Sequence, residues 1–126
     1  MKQGVNEVTL TGNAGRDPEV KYLQNGQTLT TFSMATPDSR KVDGEEKDLT
    51  EWHTVVFFGR LAEIAGEYLV KGSEVTVEGR LKTDKWEDKD GNKKQLTKIV
   101  GSNLIMVGSK KKKEDREPGM EHDVPF

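Results

Sequence analysis

The positions of apolar side chains predict the secondary structure of this chain, and the clearest pattern runs from Glu51 to Arg60. β-Branched and aromatic residues dominate this run and Gly59 ends it, which is typical of a strand. Because side chains alternate between the two faces of a strand and only one face points into a small barrel, one aromatic-bearing face is expected outside. One face carries Trp52, Thr54, Val56 and Phe58, and the other carries His53, Val55 and Phe57.

Similar alternation predicts four more strands, with turn signals between them. These strands are Val5 to Asn13, Gln27 to Thr36, Ser73 to Glu87 and Lys94 to Val107, and a short extended piece covers Glu19 to Leu23. The dipeptides Asn25-Gly26 and Asp90-Gly91 favour hairpin turns. Strands joined by such turns are expected to pair as antiparallel neighbours.

Two stretches give more local predictions. The polar segment from Pro37 to Thr50 is predicted to be a long connecting loop, of the kind that is often functional. In the fourth strand, Val75, Val77 and Leu81 are expected to share one apolar face, and Gly79 favours a bend or bulge.

One segment has helical rather than strand periodicity. From Arg60 to Lys71 apolar side chains recur at intervals of three and four residues, which predicts an amphipathic helix that ends at Lys71-Gly72. The elements then follow the order of three strands, a helix and two strands. This order suits an all-β OB-fold, which is a five-stranded Greek-key barrel with one helix between strands three and four. A β-grasp or SH3-like barrel would place the helix elsewhere or omit it.

Composition divides the chain in two. Its 126 residues suit one domain, yet hydrophobic residues make up 32% and charged residues 33%, which is polar for a globular protein. Residues 109–126 hold almost no apolar side chains and cannot form a core. We therefore predict a barrel domain over residues 1–108 and a disordered charged tail over residues 109–126.

Composition also narrows the class of protein. The absence of cysteine excludes a disulfide scaffold and a thiol nucleophile. Nothing resembles a signal peptide, and no apolar run approaches the roughly 18 residues of a membrane span, so a soluble intracellular protein without membrane partners is expected. The net charge of −2 decides little, because a local basic stripe can bind phosphate on an acidic protein.

Candidate catalytic residues are few. The two histidines are His53, within a predicted strand, and His122, in the tail, and neither has partners for a triad or a metal site. Acidic residues are scattered through predicted loops without a spacing that pairs two carboxylates. We predict that the protein is not an enzyme and uses no cofactor or metal.

Predicted strand faces combine aromatic and basic side chains. Trp52 and Phe58 lie on the third strand and Trp86 on the fourth. Bases stack on aromatic rings while Lys and Arg contact phosphates, so this combination is typical of sequence-tolerant binding to single strands. The alternative is that the three aromatic side chains belong to the core. Basic candidates beside them are Arg60, Arg80, Lys82 and Lys85, and the predicted loop adds Arg40 and Lys41.

Residues spread over most of the chain resemble one family. They include Val5-Asn6, Gly12-Asn13, Asp17-Pro18-Glu19, Thr50-Glu51-Trp52-His53, Phe58-Gly59, Leu61-Ala62-Glu63, Glu67-Tyr68-Leu69, Lys71-Gly72, Val77-Glu78-Gly79 and Trp86. This pattern over residues 4–107 is similar to the bacterial single-stranded DNA-binding proteins, the SSB family. The resemblance implies an OB-fold homotetramer that binds single-stranded DNA during replication, recombination and repair. It also implies a cytoplasmic location, at the bacterial nucleoid or in a phage-infected host cell.

The resemblance implies roles for individual residues as well. These roles are base stacking for Trp52, Phe58 and Trp86, phosphate contact for Arg60 and Lys82, and the subunit interface for His53, Val5 and Asn6. Three departures stand out, because Asp84 and Gln3 occupy positions that are often basic, and a common Trp is missing near Arg40. We therefore expect fewer stacking sites and weaker phosphate contact than in better-known members.

The end of the tail resembles the partner-recruiting tip of the same family. The tip consists of Asp123, Val124, Pro125 and Phe126. Phe126 can fill an apolar pocket while its α-carboxylate and Asp123 meet Lys or Arg on a partner. The resemblance thus implies recruitment of replication, recombination and repair proteins. The shortness of the tail favours a phage- or prophage-encoded member.

Alternatives from other classes stay open on sequence alone. A primosome-type accessory OB protein would share the fold but act mainly as an assembly factor. A metal-dependent nuclease would use the acidic residues of the predicted loop. RNA is an alternative ligand, because stacking on aromatic rings does not read the 2′-hydroxyl.

Overall fold

Eight strands and one helix make up the secondary structure of residues 3–107, the part of the chain that this computed structural model describes. The elements are β1 (Val8–Ala14), β2 (Glu19–Tyr22), β3 (Thr28–Thr36), β4 (Ser39–Val42), β5 (Glu45–Asp48), β6 (Glu51–Phe58), α1 (Gly59–Tyr68), β7 (Glu74–Glu87) and β8 (Lys93–Val107). The predicted tail, residues 109–126, lies outside the described residues. No helix within residues 3–107 is long and apolar enough to span a bilayer.

Five strands close a barrel in the order β1-β7-β8-β6-β3, and β3 pairs back onto β1. The pairing of β6 with β8 is parallel, with Val55 opposite Ile99 and Val56 opposite Val100, and the other pairings are antiparallel. These are the five predicted strands, and α1 lies between the third and fourth of them. The predicted OB-fold is therefore confirmed, with β2 added along an edge of β3.

The interior of the barrel is filled by the alternate side chains that the strand pattern predicts. Helix α1 covers this core with Ala62 and Ala65, and the Thr30 hydroxyl donates a 2.6 Å hydrogen bond to the carbonyl oxygen of Ala62. The buried core comprises Ala14, Phe32, Met34, Val55, Phe57, Ala62, Ala65, Leu69, Val75, Val77 and Ile99. Burial of these apolar side chains is the main stabilising term of the fold.

A close contact between β6 and β8 shapes the centre of the core. The Phe57 ring lies against Gly101, where a Cβ atom would come within 2.1 Å of Phe57 Cε1. On its other side the ring stacks with Phe32, with 6.0 Å between the ring centroids. Because residue 101 is a glycine, there is room at this point of the core for the Phe57 ring.

The prediction of a long connecting loop over Pro37 to Thr50 is wrong. This segment forms the hairpin of β4 and β5, whose eight residues are all exposed. Because the hairpin buries neither face, its sequence shows no apolar alternation. The turn signal was Asp43-Gly44, whose residues both have positive φ, 54° and 80°.

The predicted end of the helix is also wrong. Helix α1 ends at Tyr68 instead of Lys71, and Leu69 already has an extended backbone with ψ of 137°. Leu69 and Val70 are nevertheless fully buried. Their apolar side chains extended the helical pattern in the sequence, although they reach the core from an extended segment that follows the helix.

The fourth predicted strand differs from expectation at Leu81. Val75 and Val77 are buried as predicted, but Leu81 is half-exposed. The reason is that β1 pairs with β7 only as far as the pair of Val8 and Gly79, so β7 then continues beyond the barrel. The predicted irregularity at Gly79 is confirmed, since the register of β7 with β8 shifts between Glu78 and Gly79.

Replacing Gly101 with Ala tests the contact that shapes the core. The added methyl group must displace Phe57, so we expect Gly101→Ala to lower the free energy of unfolding by about 1–3 kcal/mol in chemical denaturation. The control is Gln95→Ala on the exposed part of the same strand, which should leave the stability nearly unchanged. Equal stability of Gly101→Ala and the wild type would contradict the close packing described above.

Candidate nucleic-acid interface

The two faces of β6 differ in exposure as the alternation predicts, except at Val56, which belongs to the outward face but is buried. Val55 and Phe57 are fully buried, whereas Trp52 is 63% exposed and Phe58 39% exposed. On β7, Trp86 is 49% exposed. The alternative that the three aromatic side chains belong to the core is therefore wrong, and their rings are available at the surface.

The Trp52 ring is positioned by the loop between β1 and β2. A Cβ atom on Gly15 would lie 2.5 Å from Trp52 Cζ3, so the ring covers the bare backbone of Gly15. Gly15 is itself held in place, because its N–H donates a 2.8 Å hydrogen bond to the carbonyl oxygen of Ser33 on β3. The exposed indole is thus supported from below by a rigid part of the barrel.

Beyond the barrel, β7 and β8 continue as a two-stranded arm, residues 80–87 and 93–98. Residues directly opposite each other in an antiparallel pair share a face. Trp86 is opposite Lys94, and Lys82 is opposite Lys98, so the indole and three ammonium groups lie on one face of the arm. An open groove of about 530 Å³ runs along its end and is lined by Lys85, Trp86, Glu87, Lys93, Lys94 and Gln95.

Three of the predicted phosphate-binding cations already form ion pairs within the chain. Arg60 Nη1 lies 3.2 Å from Glu63 Oε1 on the first turns of α1. Arg40 Nε lies 3.0 Å from Asp38 Oδ2, and Lys82 Nζ lies 3.5 Å from Asp84 Oδ1. All six side chains are at least two-fifths exposed, so these pairs can exchange with other anions.

Asp84 lies between two lysines on the outer face of the arm. Its Oδ2 accepts a 2.6 Å contact from Lys98 Nζ, in addition to the contact with Lys82. The hydrogen bond from Lys98 is the main reason why the pKa of Asp84 is below its ordinary value. The carboxylate therefore stays ionised at neutral pH, and the stabilisation from this pair is lost only as the pH falls through that lowered pKa.

The β4–β5 hairpin carries Arg40 and Lys41 away from the barrel strands. It forms a separate two-stranded sheet in which Lys41 is opposite Glu46 and Arg40 is opposite Lys47. The acidic side chains of the same segment are Asp38, Asp43, Glu45, Glu46 and Asp48. Arg40 and Lys41 are thus surrounded by carboxylates, while the described aromatic surface lies on β6 and the arm.

The residues predicted for a subunit interface occupy different surroundings. His53 is partly buried, and its Nε2 lies 3.0 Å from Thr36 Oγ1. The Asn6 side chain bonds both the N–H and the carbonyl oxygen of Leu81, at 2.9 Å each, and so ties the N-terminal segment to the start of the arm. Val5 is the most exposed large apolar side chain among the described residues.

Three cations of this surface were missed in the sequence. The register of β7 with β8 places Lys94 and Lys98 on the same face of the arm as Trp86. On β2, Lys21 is opposite Leu29, which is itself opposite Phe58 on β6. Counting outward from the Asp90-Gly91 turn would have given the partners of the arm. No comparable signal in the sequence predicts the pairing of β2 with β3 at Lys21.

Residues 3–107 hold no group of three His, Asp or Glu side chains that could bind a metal ion. The fold and the surface together define an OB-fold barrel that presents three exposed aromatic rings, with lysines on the same face as Trp86. Residues 5–107 match the single-strand binding protein family, and the chain belongs to this family. It is a family of binding proteins and not of enzymes.

Two relatives have the name "Single-stranded DNA-binding protein". The protein of Xylella fastidiosa is 49% identical over 111 residues, which cover 87% of this chain and 68% of the relative. The protein of Xanthomonas axonopodis pv. citri is 51% identical over 111 residues, which cover 87% of this chain and 62% of the relative. The chain thus spans less than two thirds of the second relative.

A solved structure has the same fold. It is described as "Plasmodium falciparum SSB complex with ssDNA" and superposes with a TM-score of 0.77 at 33% sequence identity. The alignment covers 85% of this chain and 98% of that chain. The fold described above is therefore one that a related protein adopts in a complex with single-stranded DNA.

Replacing Gly15 with Ala tests how Trp52 is positioned. The added methyl group cannot coexist with the ring at its present place, so we expect the indole to move into solvent and its emission to shift to longer wavelength. The chain has two tryptophans, so the measurement uses Trp86→Phe as background, in which Trp52 is the sole emitter. Emission that is the same in Trp86→Phe with and without Gly15→Ala would contradict the packing of Trp52 on Gly15.

Proposed function

We propose that this protein binds and protects single-stranded DNA without reading its sequence. The observation that carries the proposal is the exposure of Trp52, Phe58 and Trp86 on outer strand faces among basic side chains. An exposed indole on a soluble domain costs free energy unless it has a partner, and unpaired bases are suitable partners. The names of the relatives and the DNA-bound structural neighbour support the same ligand.

The aromatic side chains are spaced for a strand that crosses the barrel. Trp52 and Phe58 are six residues apart on one strand, which corresponds to roughly 20 Å, so several nucleotides fit between them. Trp86 extends the path onto the arm. Each base stacked on such a ring contributes about 1–3 kcal/mol, and every base has a face that can stack.

Phosphate contacts supply the second part of the proposed affinity. Arg80 and Lys85 on the arm join Arg60 and Lys82 as candidates, and the register adds Lys94. Each contact releases counterions from the DNA, so binding should weaken as salt is raised. The hairpin residues Arg40 and Lys41 are secondary candidates because carboxylates surround them.

We also infer a homotetramer, in which His53, Val5 and Asn6 lie at or near a subunit interface. The inference is supported by the resemblance of these positions to interface positions of the family. The proposed role is in DNA replication, recombination and repair in the cytoplasm, at the nucleoid or in a phage-infected cell. Mass determination together with oligo(dT) titration would give oligomeric state and site size, and the site size separates this role from that of an accessory assembly factor.

Removing the rings one at a time tests the stacking surface. We expect Trp52→Ala and Trp86→Ala each to weaken poly(dT) binding by about 1–3 kcal/mol in a fluorescence anisotropy titration, with the thermal unfolding midpoint nearly unchanged. The control is Tyr22→Ala, because Tyr22 is an exposed ring on the opposite face of the sheet from Phe58. If all three variants bind as tightly as the wild type, stacking on Trp52 and Trp86 is not the basis of binding.

The tip of the tail, Asp123 to Phe126, is proposed to recruit replication, recombination and repair proteins. Phe126 supplies an apolar anchor and Asp123 supplies a charge for Lys or Arg on the partner. This proposal is supported by the resemblance of Val124-Pro125-Phe126 to the tips of family members.

Deleting the last four residues separates recruitment from DNA binding. We expect the truncated protein to keep wild-type poly(dT) affinity and to lose host repair enzymes from pull-downs. A variant with Phe126→Ala alone should lose most of the same partners. Undiminished recovery of these enzymes by the truncated protein would overturn the proposed role of the tip.

A further inference from the structure

We propose that Asp84 limits the affinity for single-stranded DNA by holding Lys98, and more weakly Lys82, in ion pairs on the DNA-facing surface of the arm. The inference rests on the proposed function and names a residue that tunes it. A phosphate can use these two lysines only by displacing the carboxylate that already holds them.

The geometry of the arm places all three groups on one face. Lys82 and Lys98 are directly opposite in the register of β7 and β8, and Asp84 follows Lys82 by two residues, so its side chain points the same way. Trp86 comes two residues later on that face. A DNA strand that stacks on Trp86 and runs towards Lys82 therefore passes over the carboxylate of Asp84.

The contact with Lys98 is the stronger of the two. Its Nζ lies 2.6 Å from Asp84 Oδ2, whereas the Nζ of Lys82 lies 3.5 Å from Oδ1. The Lys98 side chain is 22% exposed, compared with 54% for Lys82, so Lys98 is held against the arm and offers little of its surface to a ligand. Charge-assisted bonds of this length are among the stronger hydrogen bonds in proteins.

Asp84 also has a structural role that must be distinguished from this one. Like charges directly opposite in a sheet repel each other, and the carboxylate relieves that repulsion between Lys82 and Lys98. If Asp84 had only this structural role, its replacement would loosen the arm and weaken DNA binding. The proposed role predicts the reverse, because released lysines become available to phosphates.

The test measures the affinity of full-length Asp84→Asn for a short labelled oligo(dT) by anisotropy at several NaCl concentrations. At low salt we expect tighter binding than wild type, on the order of tenfold, because Lys98 and Lys82 are released from the carboxylate and can contact phosphates. The slope of log affinity against log salt should steepen by about 0.7 for each lysine that gains a phosphate.

Two further variants make the result specific. Glu74→Gln removes the same charge from the opposite end of the same strand, away from the arm, so it should change affinity much less than Asp84→Asn. Lys98→Gln removes the lysine that Asp84 holds most closely. If Asp84 acts through Lys98, the gain from Asp84→Asn should shrink strongly in the Lys98→Gln background, as a double-mutant cycle measures.

Three outcomes would overturn the inference. Asp84→Asn could bind no more tightly than Glu74→Gln. Its gain could also be the same with and without Lys98, in which case the carboxylate only repels phosphate. In either case the proposed function is retained as long as the wild-type protein binds oligo(dT). If neither the wild type nor Asp84→Asn binds oligo(dT), the proposed function fails as well.

Discussion

Closure of the barrel depends on the parallel pairing of β6 with β8, and that pairing depends on how Phe57 meets Gly101. The two strands can approach because no Cβ atom at position 101 competes for the space of the ring. Stacking of Phe57 on Phe32 then ties β6 to β3 across the same core. One aromatic side chain in this way connects three of the five barrel strands, since β8, β6 and β3 are consecutive in the sheet.

The outer surface follows from this inner packing. Because Phe57 and Val55 face inward, alternation directs Trp52 and Phe58 outward, and both are exposed although Val56 on the same face is buried. The arm arises because β1 pairs with β7 only as far as Gly79. Beyond that residue β7 pairs with β8 alone. The proposed DNA path thus consists of the outward face of a closed barrel and the part of a hairpin that the barrel does not use.

The sequence predicted the elements that bury a face and missed those that do not. The five barrel strands and the helix have periodic apolar residues, so they and the OB-fold could be identified. Alternation along β6 indicated that Trp52 and Phe58 face outward, whereas the exposure of Trp86 followed from its polar neighbours near a hairpin turn. The β4–β5 hairpin has no buried face, and its position in the chain resembled a loop. The ion pairs of Asp84 depend on the register of β7 with β8, which a count of charges along the chain does not contain.

The net charge of −2 results from 22 acidic and 20 basic side chains, and several cations of the proposed DNA-binding surface lie in ion pairs within the chain. Carboxylates lie beside several of its cations, as Glu63 does beside Arg60 and Asp84 beside Lys98. The pair of Arg60 and Glu63 is exposed and contributes little to stability, so exchanging its carboxylate for a phosphate costs little free energy, whereas Asp84 holds the less exposed Lys98 more closely. Stacking on the exposed rings is the part of the proposed binding that these ion pairs do not oppose. Affinity then depends on the position of each acid relative to a ring and not on the total charge.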